Sequence, residues 1–129
     1  MAFPVLDPAG LDWETRPHAP GEPARHVAEL SETAGMDRQR ANVWRYEPGA
    51  RGRRHVHAAQ EETFVVLAGT LTIALGESAE RREVPAGSLV HVPAGTPLQS
   101  ANLDGAEDLL VCVFGTPPDE GADVLPDAL

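Results

Sequence analysis

The sequence predicts a single all-β domain built as a small barrel, and three observations predict it. At least eight short segments rich in Val, Ile, Leu and Thr are each closed by Gly or Pro, the pattern of a sandwich or barrel. No stretch shows the apolar period of an amphipathic helix. A chain of 129 residues is long enough for one domain with its own core.

Residues 1–23 carry Pro4, Pro8, Pro17, Pro20 and Pro23, a spacing that no helix tolerates. An extended arm is expected there, anchored by Leu11 and Trp13. Residues 25–30 alternate weakly and make a first strand. Residues 31–37 contain Gly35 and read as a turn. Residues 38–47 bring Val43, Trp44 and Tyr46, all strand formers, and stop at Pro48 and Gly49. Trp44 and Tyr46 are expected in the core or lining a pocket.

Residues 55–57 are expected to be extended, 58–60 to connect, and 62–68 to form the next strand. Residues 70–75 (TLTIAL) alternate, and are expected to pair with 62–68 across Ala68 and Gly69. A polar hairpin loop over 76–82 leads to a short strand starting at Glu83 and Val84. Pro85 and Gly87 mark a turn, 88–92 a strand, 93–97 a tight turn and 98–102 a short strand. After a loop at 103–107, residues 108–114 form a long apolar strand. The expected organisation is an arm over 1–23, a barrel over 24–115 and a surface tail over 116–129. Strands 64–67 and 109–114 are apolar on both faces. Their outer face needs cover from the arm or a second copy, so a homodimer is expected.

The net charge of −10 argues against nucleic acid or an anionic membrane as partner. All ten cations are arginine, read as compositional bias. Cys112 is the one cysteine, so no intrachain disulfide forms; it reads as an inert core thiol in a reducing compartment. The N-terminal MAFPVLDPAG has no basic segment followed by an apolar run. The longest apolar-rich run, 64–75, is too short to span a bilayer and is broken by Gly69. A cytoplasmic location is expected.

The stretch 49–69, GARGRRHVHAAQEETFVVLAG, holds the chemistry. On a strand, residues two apart share a face, roughly 6.5–7 Å apart. His55 and His57 then point to one place, and the following strand can return Glu62 to it. Two imidazoles and a carboxylate are donors for a first-row metal at roughly 2.0–2.2 Å.

The same residues resemble the cupins. The family's first motif, G-x5-H-x-H-x(3,4)-E-x6-G, matches Gly49, His55, His57, Glu62 and Gly69. Its second, G-x5-P-x-G-x2-H-x3-N, matches Gly87, Pro93, Gly95 and Asn102, with 17 residues between the motifs. The resemblance implies a jelly-roll barrel, usually a homodimer, with metal ligands at His55, His57 and Glu62 inside one mouth. Glu62 rather than Glu61 lies seven residues before Gly69, on the face that carries Phe64 and Val66 inward. The departure is Leu98, which stands where the family has its fourth ligand, a histidine. Leucine donates nothing to a metal, and Gln99 faces the other way on a strand.

The ligand set that remains resembles the facial triad of non-haem iron oxygenases, and iron, manganese, nickel, copper and zinc all accept such donors. Leu98, Arg53, Phe64, Val66 and His91 are the expected pocket residues. Arg51 and Arg53 either meet a carboxylate-bearing substrate or form a solvated cluster. Gln60, Gln99 and Asn102 are candidates to hold the histidines' second nitrogens, with Asn102 equally a turn residue. His18 and His26 are expected on the surface. The functional expectation is a metal-dependent, dioxygenase- or isomerase-like enzyme acting on a small oxygenated or carboxylated molecule. The alternative is a non-catalytic small-molecule-binding barrel without a functional metal, in which the trio is only a hydrogen-bonded cluster.

Overall fold

Runs of β-branched and aromatic residues become strands, and Gly/Pro pairs become the corners between them. The computed structural model describes residues 3–118 and 121–129; residues 1–2 of the expected arm and 119–120 of the expected tail lie outside the described residues. The strands are β1 (Glu14–Thr15), β2 (Arg25–Glu29), β3 (Arg40–Tyr46), β4 (His55–Val56), β5 (Glu61–Ala68), β6 (Thr70–Leu75), β7 (Glu80–Pro85), β8 (Leu89–Val92), β9 (Leu98–Ala101), β10 (Leu109–Thr116) and β11 (Asp123–Val124). They form two antiparallel sheets of a jelly roll, in the orders β1-β2-β3-β10-β5-β8 and β11-β4-β9-β6-β7. Among the described residues no helix is long and apolar enough to cross a membrane.

The core lies between the sheets. Phe64, Val66, Leu109, Val111 and Val113 from the larger sheet meet Leu71, Ile73 and Leu98 from the smaller. A second apolar cluster lies elsewhere on the larger sheet. There Leu30, Ala41 and Val43 are covered, and Leu6, Leu11 and Trp13 of the arm pack with Leu110, Cys112 and Phe114. Much of the apolar outer face is thus sealed by the chain's own arm.

Several local expectations are corrected. The strands 62–68 and 70–75 do not pair. β5 bonds β10 and β8, while β6 bonds β7 and β9, so Gly69 is a corner between sheets. Its φ of +74° and the backbone oxygen of Asp108, 2.6 Å from where a Cβ would sit, explain why only glycine turns there. The loop expected over 76–82 is shorter, because β7 begins at Glu80. Its sequence ERREVP hid it: an edge strand exposed on both faces carries charges rather than alternation. Residues 31–34 form one helical turn, closed by Gly35 in the left-handed region. The arm adds β1 to the edge of β2, and Pro8–Gly10 form a short 3-10 turn.

The tail is also built in. β11 pairs with β4. Ala128 and Leu129 donate their backbone N–H groups to Gln99 Oε1 at 2.8 and 2.9 Å. The tail therefore covers the outer side of β9, which is why all four β9 residues are buried.

Candidate metal centre

Extended backbone at β4 sends His55 and His57 to the same side, as the two-residue period requires. The His57 carbonyl accepts from the Gly95 N–H at 2.7 Å, and Gly52 N–H donates to the Ser100 carbonyl at 2.7 Å, pinning both ends of the segment. Glu62 stands on β5 between Gly115 of β10 and Val92 of β8. Gly115 has no side chain because the amide of Gln60 occupies that space.

The three donors meet. His57 Nε2 lies 3.2 Å and His55 Nε2 3.7 Å from Glu62 Oε1. The imidazole rings cross at 88° with centroids 5.1 Å apart. One ligand atom from each residue lies within 4.8 Å of the others. Glu62 Oε1 is buried and makes no hydrogen bond among the described residues. Two nitrogens therefore crowd a desolvated carboxylate oxygen without hydrogen-bond geometry, an arrangement costly for a plain polar cluster. It fits donors aimed at a shared cation, and a divalent transition metal fits this donor set.

Burial is the largest influence on His55 and disfavours its charged form. Contact with Glu62, the Arg53 carbonyl at 2.9 Å from Nδ1 and the charge of Glu62 together outweigh it, so its pKa lies above the usual imidazole value. The Arg53 carbonyl also settles how that ring is held: Nδ1–H donates to it, which leaves Nε2 facing Glu62.

The trio opens into a cavity of about 410 Å³. Arg53 and Phe64 line it; Leu98 and Val66, also expected there, do not, and belong to the core cluster. Leu98 is 1% exposed and is the direct cross-strand partner of His55. His91, expected in the pocket, is a correction: Val90 and Val92 take the inner side of β8, so His91 projects outward, against Thr63 and near Glu61. Gln99 and Asn102 do not hold the histidines. Gln99 donates to the Gly52 carbonyl and accepts from the tail. Asn102 donates to the carbonyls of Tyr46 and Glu107, a turn-bracing role. Gln60 is buried against Gly115, and His57 Nδ1 is buried with no hydrogen-bond partner among the described residues.

The sequence reading did not name Arg16, Arg25, Arg40, Asn42 and Ser100, all of which line the cavity beside Trp44 and Tyr46. One signal was available. Residues 40, 42, 44 and 46 share a strand face, and Trp44 and Tyr46 already marked that face as inward. Nothing local placed Arg16 and Arg25, which arrive through the pairing of β1 and β2.

A jelly roll whose cavity is lined by two histidines and a carboxylate that could hold a metal ion defines a class of small barrels. Residues 42–114, more than half of the chain, match the family model for the cupin domain, and the chain belongs to that family. Among solved structures it is similar to a sugar phosphate isomerase of the cupin superfamily from Silicibacter pomeroyi (25% identity, 89% of this chain and 76% of that one, TM-score 0.74). It is also similar to the polyketide cyclase RemF from Streptomyces resistomycificus (17%, 98% and 88%, TM-score 0.79). A third is a predicted oxalate decarboxylase from Thermotoga maritima (17%, 88% and 99%, TM-score 0.75). The last two show likeness of fold alone. No curated protein gives a significant match to the chain.

Proposed function

We propose that the protein is a metal-dependent enzyme of isomerase-like chemistry, acting on a small oxygenated or carboxylated molecule. The observation that supports it best is the buried Glu62 Oε1, without a hydrogen bond among the described residues, facing two imidazole nitrogens. A divalent transition metal held by His55, His57 and Glu62 would supply Lewis acidity and a docking point for a substrate oxygen. The chain supplies the rest. Phe64, Val111 and Val113 line the cavity with apolar surface and keep water from the reacting end. Tyr46 Oη from the larger sheet and Ser100 Oγ from the smaller, 2.8 Å apart and both lining the cavity, form a hydroxyl pair that can pass a proton. The likeness to a sugar phosphate isomerase supports this reaction class over oxygenation.

The buried Leu98 beside His55 favours a second reading, a barrel that binds its ligand without catalysis. Elemental analysis of the purified protein separates the two. The enzyme reading expects close to one equivalent of a transition metal, lost in His57→Ala while the fold survives. Metal-free protein with an organic ligand in the cavity would establish the binding reading instead. We also propose a homodimer: Leu67 and Leu89 remain exposed on the outer face of the larger sheet, beyond the reach of the arm.

A further inference from the structure

One stretch of the cavity wall is fastened by polar bonds rather than by buried apolar surface. Residues 14–23 are all exposed. They run between two anchors. Trp13 packs in the outer apolar cluster, with the Arg45 guanidinium 5.8 Å from its ring centre, and Ala24 is buried. Arg16 and Pro17 nevertheless line the cavity, so this strap is rim, with the chamber on one side and solvent on the other.

The fastening has a backbone part and a side-chain part. Glu14 and Thr15 of β1 pair with Val27 and His26 of β2, and the Arg16 N–H donates to the Arg25 carbonyl at 2.9 Å. Arg25 turns to the cavity, so its neighbour His26 takes the outer side of the strand. There His26 Nδ1 lies 2.8 Å from Thr15 Oγ1, and its Nε2 lies 2.7 Å from Glu47 Oε2, just past β3. A carboxylate only accepts, so Nε2–H donates to Glu47. Nδ1 then accepts from the Thr15 hydroxyl when the ring is neutral and donates to it when the ring is charged. The imidazole is therefore a hasp that joins the arm to the body in either state. Few bonds, open to water and backed by no buried side chain of the strap, break locally far more readily than the fold unfolds.

We infer that residues 14–17 are a gate on the cavity, latched by Thr15, His26 and Glu47, and that small molecules enter and leave as β1 lifts from β2. Trp13 and Ala24 are its fixed ends, and Pro17, Pro20 and Pro23 stiffen the loop between them. The gate concerns access alone and stands apart from the metal-centre proposal.

Quenching of Trp44 fluorescence by acrylamide, a small neutral probe, tests it. Trp44 lines the cavity and is the one tryptophan left in Trp13→Phe, which serves as the parent. The Arg16–Arg25 bond makes Thr15 and His26 the close kind of cross-strand pair. Thr15→Cys with His26→Cys should therefore link on oxidation, leaving Cys112 as the one free thiol. Quenching should fall in the linked form and recover on reduction, a comparison within one protein that cancels any disturbance from Trp13→Phe. His26→Phe and Thr15→Val should each raise quenching well below the melting temperature. Amide exchange at Arg16 should quicken roughly fivefold in both, with exchange at the core residue Val66 unchanged. The double variant should add little to either change, because both break one hasp. Thr63→Val, which breaks a comparable contact with His91 at the opposite edge of the same sheet, should leave quenching as it was. A hasp that serves stability alone would lower the melting temperature and leave quenching unmoved. That result, equal quenching in the linked and reduced forms, or failure of the two cysteines to link overturns the inference.

Discussion

β5 and β4 bring donors to the same point under opposite conditions of support. β5 runs for eight residues and is bonded on both sides, to β10 and β8, with Phe64 and Val66 sunk in the core. β4 is two residues long. It meets β9 through a single pair, His55 with Leu98, and is completed on its other side by β11. Glu62 is thus fixed by a sheet, and the two histidines by a ribbon that borrows half its neighbours from the far end of the described chain. The carboxylate is the fixed point of the site and the imidazoles are its adjustable side.

Breaking the rigid half should have the largest effect. Gly69→Ala puts a methyl against the Asp108 carbonyl at a backbone angle that alanine resists. A loss of roughly 3 kcal/mol or more is expected, seen as a collapsed melting temperature or no soluble protein. Leu98→His acts on the adjustable half and should give two opposed readouts. It removes a fully buried leucine from the core, at a cost of about 2–4 kcal/mol by thermal unfolding. It also offers a third imidazole beside His55, so metal retained through dialysis should rise. Unchanged metal content would show that residue 98 does not address the donor set. The smallest effect should come from Gln99→Leu, which releases the tail's two amides and leaves them unpaired. About 1–3 kcal/mol of stability should go, and amide exchange should quicken at residues 55–57 more than at 62–66. Equal quickening in both segments would erase the contrast between the two strands.

The donor trio was legible because motif spacing is a one-dimensional quantity: five residues, one residue, four residues, six residues. The barrel was legible because turns and alternation are local. The pairing of 62–68 with 70–75 was misread because a hairpin and a sheet-to-sheet corner both look like two strands around a glycine. His91 was misplaced because 88–92 is apolar on both parities, so the alternation did not say which side faces in. The arginines were hidden for a different reason. Their meeting depends on strands far apart in sequence, and in a chain whose only cations are arginines, no single one stands out.

The pairing of Asp123 with Val56 has a consequence for how the site comes into being. The second neighbour of the histidine strand is made about 70 residues after the strand itself. During synthesis Gly115, the partner of Glu62 on β10, precedes Asp123 by only eight residues, so both sides of the site gain their last neighbours late, the imidazole side last. Assembly of the donor trio is therefore among the last events of folding, and a nascent chain stalled before residue 123 would hold a barrel wall whose histidine strand lacks its second neighbour.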